Sequence, residues 1–168
     1  MDICFHNLKI KSAFIFALQS KHYLLKKILD QEVMVKKKPL LGICLVMQIL
    51  ADKGYEFGEH AGLGWIGGEV KKFAESGARK IPHVGWNDVV FSKKHFLFNE
   101  IEDGQSFYFV HSFCFQAMNS DSVIAVSDYE GEFTAAVAKD NIFATQFHPE
   151  KSQKNGLQLF RNFIEWKP

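Results

Sequence analysis

A short apolar run that leads directly into a helix-forming one constrains the fold of this chain most strongly. Residues 38–42 are predicted to end in a buried parallel strand, and residues 46–50 have the spacing of a helix. Cys44 lies in the tight turn between them. A strand, a turn and a helix in this order are a building unit of α/β proteins, so we expect an α/β domain.

The remaining segments extend this expectation. Residues 17–30 have the apolar spacing of an amphipathic helix that packs on a sheet. A series of segments rich in Phe, Val and Ile is predicted to form strands: 64–73, 83–91, 106–111, 123–129, 133–139 and 141–147. Residues 153–166 place Leu157, Phe160 and Ile164 on one stripe, with Phe163 beside it, and are predicted to close the domain as an amphipathic helix.

Composition limits the class of protein. A chain of 168 residues fits one domain, residues 1–168, and its formal charge of +1 argues against a broad nucleic-acid or membrane surface. Three cysteines without paired or metal-ligand spacing favour a reducing compartment, and the apolar runs are too short to span a bilayer. We therefore expect a cytoplasmic protein that uses no metal and no cofactor.

Cys44 is a candidate nucleophile. At a bend between a strand and a helix, a side chain is exposed above the sheet, and the helix N–H groups favour the thiolate. Such a turn needs small neighbours, which Gly42 provides and Val46 does not. The bland alternative is that Cys44 is a small core residue, which is the commoner role of a buried cysteine.

His148 and Glu150 are the candidate partners of this thiol. In an extended segment, residues two apart point to the same side, so these two side chains are predicted to touch. An imidazole then takes the proton of the nucleophile while a carboxylate fixes its tautomer. A His two residues from a Glu also arises by coincidence, and only its combination with Cys44 points to catalysis.

Four blocks in order carry a family resemblance: PLLGICLVMQIL at 39–50, IPHVGWNDV at 81–89, FYFVHSF at 107–113 and ATQFHPEKSQKNGLQLFRN at 144–162. They resemble class I glutamine amidotransferases, in the version of the glutaminase subunit of imidazole glycerol phosphate synthase. The resemblance implies a three-layer α/β domain with a central, mostly parallel sheet. Relatives place the nucleophile further along the chain, so we expect a shortened member that lacks part of the β-α-β opening.

The resemblance also implies roles for individual residues. Cys44, His148 and Glu150 would form a triad that converts glutamine to glutamate and ammonia through a thioester. Further residues would lie at the glutamine site: Leu45, whose N–H is an oxyanion donor, Gln48, Glu56, His111, Ser112 and Phe113. The alternative for Gln48 is a solvated helix position, and for Glu56 a loop position without function.

A partner is implied as well. Trp86, Tyr108 and Lys151 would face a cyclase subunit with the fold of a (β/α)₈ barrel, in a heterodimer; the alternative for Trp86 is the core. In the family, the barrel uses the ammonia to make imidazole glycerol phosphate and AICAR in histidine biosynthesis. Two further interpretations stay open: an ammonia donor for surface-sugar amidation, and a non-catalytic subunit that only binds the partner. A generic thiol hydrolase would explain none of the four blocks.

Two departures from the family pattern bear on activity. The glycine-rich loop that donates the other oxyanion hydrogen bond aligns with residues 9–12, Lys-Ile-Lys-Ser, which contain no glycine. Loss of one such donor typically costs ~10²–10³ in rate. Val46 stands where the family has glycine, and a β-branched residue is unfavourable there if the position requires a positive φ.

Overall fold

A computed structural model of the protein describes residues 23–74 and 80–168. The residues of the oxyanion loop predicted at 9–12 lie outside these ranges, as do residues 17–22 of the first predicted helix. The helices are α1 (Tyr23–Leu29, continued by a wider π-helical turn at Asp30–Val35), α2 (Leu45–Ile49) and α3 (Gln153–Glu165). The strands are β1 (Leu40–Ile43), β2 (Lys53–Gly54), β3 (His60–Ala61), β4 (Gly68–Lys72), β5 (His83–Phe91), β6 (Gln105–His111), β7 (Phe113–Ala117), β8 (Val123–Asp128), β9 (Glu132–Lys139) and β10 (Ile142–Thr145).

The strands form two sheets. A six-stranded sheet has the order β1-β10-β9-β8-β5-β6, and a four-stranded sheet has the order β3-β2-β4-β7. In the larger sheet β1 and β10 are parallel, while the other neighbours are antiparallel. The α/β class is confirmed, but a mostly parallel sheet is wrong for the described residues. Parallel pairing needs long crossover connections, and after α2 most strands follow one another through short links that allow antiparallel pairing.

Most predicted strands form close to their predicted positions. The segment 83–91 is a strand over its full length, and the segment 64–73 narrows to β4. Sequence patterns missed β7, which follows β6 after the single residue Ser112 and pairs antiparallel with β4. A direct change from one sheet to the other leaves no turn signal in the sequence, which explains the omission.

Helix α3 forms where it was predicted, but it buries a different face. Leu157 and Ile164, on the predicted apolar stripe, are exposed, while Gly156, Leu159 and Asn162 are buried. The side-chain amide of Asn162 donates to the carbonyls of Leu97 and Asn99 at 2.9 and 2.7 Å. The helix therefore packs through a glycine and a hydrogen-bonded amide, which a search for apolar periodicity does not find.

The core is rich in phenylalanine and surrounds β10. Every residue of β10 is buried, and its Phe143 shares one core cluster with the fully buried Phe107, Phe109 and Phe147. Because β1 and β10 run parallel, their carboxyl ends lie at the same edge of the sheet. This pairing places the turn after β1 beside the segment that follows β10.

Candidate active site

The register of β1 and β10 brings Cys44 next to the segment that leads to His148. Gly42 pairs with Ala144 and Ile43 with Thr145, and the N–H of Cys44 donates to the carbonyl of Thr145 at 2.7 Å. The nucleophile candidate and its predicted partners are thus anchored by adjacent strands.

The backbone at Cys44 is strained, as expected of a nucleophile turn. Its φ of 51° and ψ of −105° lie outside the ordinary regions for a residue with a side chain. Gly42 is needed for close packing, since a Cβ there would lie 2.9 Å from Cβ of Ala144. Val46 has no positive φ, sits within α2 and is 43% exposed. The strain therefore falls on Cys44 and not on Val46.

The Cys44 sulfur is partly exposed and has two polar contacts. Its S–H donates to the carbonyl of Val110 at 3.8 Å, and Nε2 of Gln146 donates to the sulfur at 3.6 Å. The carbonyl favours the protonated thiol, whereas the amide favours the thiolate.

Burial raises the pKa of the Cys44 thiol to about 11. The backbone N–H of Leu45 opposes this rise, and the negative charge of Glu150 adds to it. The Gln146 amide and the positive charge of Lys151 lower the pKa by smaller amounts. At neutral pH the group is a thiol, so attack by its sulfur requires a base that removes the proton.

The predicted contact between His148 and Glu150 is present. Nδ1 of His148 lies 2.7 Å from Oε1 of Glu150. His148 is extended, but Pro149 begins a 3-10 turn over Pro149–Lys151, so the carboxylate reaches the ring from a turn and not from a continuous strand. Nε2 of His148 is buried and makes no hydrogen bond within the described part of the chain. With Nδ1 donating to the carboxylate, Nε2 is the nitrogen able to accept a proton.

Ser152 fixes the backbone on which His148 stands. Ser152 is 1% exposed, and its hydroxyl donates to the carbonyl of His148 at 2.7 Å and accepts from the N–H of Tyr108 at 3.0 Å. The N–H of His148 also donates to the carbonyl of Tyr108 at 2.8 Å. These bonds tie the turn that follows His148 to β6.

Gln48 is buried, so the alternative of a solvated position is wrong. Its Nε2 donates to the carbonyl of Phe113 and to Oε1 of Gln146, each at 3.0 Å. Both amide hydrogens are therefore used inside the protein, and only the side-chain carbonyl is left for a ligand. Glu56 lies in the loop between β2 and β3, where partial burial raises the pKa of its carboxyl.

The predicted strand end at His111, Ser112 and Phe113 contains a paired histidine. Nδ1 of His111 lies 2.9 Å from the carbonyl of Phe113, so it carries a hydrogen and Nε2 accepts. Nδ1 of His83 lies 3.1 Å from that Nε2 and donates to it. Burial lowers the pKa of His111 to about 3 and that of His83 to about 4, so both rings are neutral.

The three predicted partner-facing residues form one surface patch. Trp86 and Tyr108 are cross-strand neighbours with ring centroids 6.0 Å apart, and Nζ of Lys151 lies 5.7 Å from the Tyr108 ring. Trp86 is 48% exposed, so the alternative of a core position is wrong. We call Trp86, Tyr108 and Lys151 the aromatic patch.

Sequence reasoning missed Gln146, Ser152 and His83 as parts of the site. Gln146 is the one of these with a sequence signal, because it is a polar residue directly before Phe147 in a segment predicted to be a buried strand. Among the described residues, no group of three or more His, Cys, Asp or Glu is arranged to bind a metal ion. No helix in residues 23–74 or 80–168 has the length and apolar character needed to cross a membrane.

Comparison with known proteins defines the class. The family model of class I glutamine amidotransferases matches residues 20–166, and the chain belongs to this family. Two solved structures share the fold: a glutamine amidotransferase with a TM-score of 0.65 at 18% identity, covering 94% of this chain and 74% of that one, and a glutamine amidotransferase of Thermotoga maritima with a TM-score of 0.56 at 19% identity, covering 89% and 58%.

Curated relatives within the family include subunits of imidazole glycerol phosphate synthase. The chain is 47% identical over 144 residues to the imidazole glycerol phosphate synthase subunit HisH of Brucella abortus, which covers 83% of this chain and 67% of that protein. It is 51% identical over 136 residues to the subunit HisH 1 of Campylobacter jejuni, which covers 81% and 67%. The chain thus spans about two thirds of the length of these relatives.

Proposed function

We propose that this chain is the glutaminase subunit of an imidazole glycerol phosphate synthase and uses Cys44, His148 and Glu150 as its triad. The observation that carries the proposal is the strained Cys44 turn beside a His148–Glu150 pair whose Nε2 is buried and unpaired. A buried acceptor nitrogen without a partner costs free energy, and a proton from the nucleophile would satisfy it.

The reaction follows from these positions. Nε2 of His148 takes the thiol proton as the sulfur attacks the side-chain carbonyl carbon of glutamine, and Glu150 stabilises the imidazolium. The N–H of Leu45 donates to the oxyanion. Collapse of the intermediate breaks the C–N bond, and His148 returns the proton so that ammonia leaves and a thioester remains. Water, activated by the same nitrogen, then releases glutamate and the free thiol.

A coupled proton transfer suits this site better than a preformed thiolate. Burial holds the pKa of the Cys44 thiol near 11, so the free thiolate is a minor species at neutral pH. The general base must therefore act in the step that forms the C–S bond, and loss of His148 is expected to be nearly as damaging as loss of Cys44.

The aromatic patch supports the second half of the proposal, delivery of ammonia to a cyclase barrel. Tyr108 is on β6, two residues before Val110, whose carbonyl contacts the Cys44 sulfur. Lys151 follows Glu150 directly. A partner bound to this patch would lie beside the site at which ammonia forms. The relatives named above suggest histidine biosynthesis as the pathway, and a cytoplasmic location stays a prediction.

Glutamate release from glutamine by the subunit co-purified with its cyclase tests the proposal. The wild-type pair should release glutamate, while Cys44→Ala and His148→Ala should reduce release by several orders of magnitude. Trp86→Ala should leave the fold intact and weaken co-purification. Release from the wild-type pair that does not exceed release from the Cys44→Ala pair would reject the glutaminase assignment.

One observation favours a second candidate, a protein that binds the cyclase without catalysis. The Cys44 sulfur bonds to Val110 and Gln146, so no hydrogen bond joins the thiol to the His148 imidazole among the described residues. A glutamine-analogue electrophile separates the candidates. Covalent labelling of Cys44, found by peptide mass spectrometry, excludes the binding-only protein.

A further inference from the structure

We propose that Gln146 is a positioning residue for the nucleophile: its side-chain amide holds the Cys44 sulfur and stabilises the thiolate as it forms, and Gln48 fixes the orientation of that amide. This inference rests on the proposed role of Cys44. It assigns a purpose to a wholly buried polar side chain that the triad does not use.

The hydrogen bonds of Gln146 leave one orientation for its amide. Gln146 is 0% exposed, and its Oε1 accepts from Nε2 of Gln48 at 3.0 Å. Because an oxygen must face this donor, the Nε2 of Gln146 faces the other way and donates to the Cys44 sulfur at 3.6 Å. An amide turned by 180° would place a nitrogen against the Gln48 nitrogen and an oxygen against the sulfur, so the bond to Gln48 and the donor to the sulfur would both be lost.

The orientation of Gln48 is fixed in turn by the strand end. Its second amide hydrogen is donated to the carbonyl of Phe113 at 3.0 Å. That carbonyl also accepts from Nδ1 of His111, whose other ring nitrogen accepts from His83. A continuous chain of buried and partly buried hydrogen bonds therefore runs from His83 to the sulfur, and each donor has its acceptor.

The groups around the sulfur act in opposite directions. The Val110 carbonyl and the Glu150 carboxylate favour the thiol. The Leu45 N–H, the Gln146 amide and the Lys151 ammonium favour the thiolate, and His148 is the proposed base that removes the proton. Gln146 is the side chain among these that touches the sulfur, so it supplies stabilisation that survives when the thiol turns away from Val110.

The rate of alkylation of Cys44 by iodoacetamide tests this role without glutamine or a partner. The thiolate displaces iodide, so the rate follows thiolate formation. We would measure the Cys44 peptide by mass spectrometry after pulses of seconds between pH 7 and 10.5, on the full chain. The variants are Gln146→Met, Gln48→Met and the double variant. Gln158→Met is the matched control, because it removes an amide that bonds only within α3.

The expected loss is about tenfold at each pH for Gln146→Met, equivalent to a rise of about one unit in the thiol pKa. Below the thiol pKa, the logarithm of the alkylation rate rises by one for each pH unit. For the wild type this slope should fall below one near pH 10.5, whereas for Gln146→Met it should stay at one up to that pH. If Gln146→Met only reduced access to the sulfur, its alkylation rate would be lower at every pH, but the pH at which the slope falls below one would be that of the wild type. Gln48→Met should lower the rate less, and it should have no further effect in the Gln146→Met background, because Gln48 acts through Gln146.

Three outcomes would overturn the inference. The Gln146→Met protein could fold and be alkylated at the wild-type rate, or it could be alkylated more slowly while the slope of its pH profile falls below one at the wild-type pH. In the third, the effects of Gln146→Met and Gln48→Met on the alkylation rate would be additive in the double variant. If Gln146→Met does not fold, Gln48→Met decides, since an unchanged rate there rejects the fixed amide. If the wild-type pair released no glutamate, the proposed function would be rejected, while the pH profile of Cys44 alkylation would still test the role of Gln146. The two failures are therefore distinguishable.

Discussion

Replacing Gly156 with alanine tests how α3 is held against the turn at Pro149–Lys151. In most helices this change stabilises the protein by up to ~1 kcal/mol, because glycine has the lower helix propensity. Here the added Cβ would lie 1.8 Å from the carbonyl oxygen of Pro149 and 2.6 Å from its carbonyl carbon. Both are backbone atoms, so no side-chain rotation relieves the contact. We therefore expect the opposite sign.

The size of the effect follows from that distance. An ordinary C···O contact is near 3.3 Å, so helix and turn must separate by roughly 1.5 Å, which is a severe case of overpacking. Overpacking costs about 1–3 kcal/mol, and the upper end applies to a contact this short. Subtracting the gain in propensity leaves a loss of about 2 kcal/mol in the free energy of unfolding. For a domain of this size that lowers Tm by roughly 4–8 °C.

Urea and thermal unfolding followed by circular dichroism measure this change. Lys154→Ala, an exposed substitution in the first turn of the same helix, is the control and should change stability by less than about 0.5 kcal/mol. Glutamate release should fall in Gly156→Ala, because Pro149 begins the turn that carries Glu150. A Gly156→Ala protein as stable as the wild type, or more stable, would refute the packing argument.

Three further changes have defined outcomes. Ser152→Ala should lower the free energy of unfolding by about 1–3 kcal/mol and reduce glutaminase activity, because the Tyr108 N–H loses its acceptor. Ser127→Ala, which removes a hydroxyl that donates to the Asp88 carbonyl, should also lower stability but leave the alkylation rate of Cys44 unchanged. Val46→Gly should lower stability by up to ~1 kcal/mol without raising glutamate release, since Val46 is an ordinary helix residue; a faster enzyme would show that Val46 does limit the thiol turn. Burial lowers the pKa of His83 to about 4, so below pH 6.5 the unfolded chain binds more protons at this residue than the folded chain does. The neutral folded ring therefore carries no stability penalty above pH 6.5. As the pH falls from 6.5 toward 4, the free energy of unfolding decreases by roughly 1.4 kcal/mol per pH unit. His83→Phe should flatten this dependence in unfolding experiments between pH 4 and 7, and an unchanged slope would contradict it.

Local patterns in the sequence predicted most of the elements and the parts of the site that lie next to one another. The Cys44 turn and the His148–Glu150 contact follow from short-range spacing, which a sequence displays directly. The buried face of α3 was mispredicted, because Gly156 and Asn162 fit against backbone groups supplied by distant segments. The role of Gln48 was incomplete for the same reason, since its partners Phe113 and Gln146 are far away in the chain.

Strand β6 serves two surfaces at once. The Tyr108 ring belongs to the aromatic patch, the Tyr108 backbone holds the His148 turn, and two residues later the Val110 carbonyl accepts a hydrogen bond from the Cys44 thiol. A strand is too stiff for positions two residues apart to move independently. Under the roles proposed above for Tyr108 and Cys44, selection for a different partner at Tyr108 would therefore also act on the thiol, so partner choice and glutamine chemistry are expected to evolve together and not one at a time.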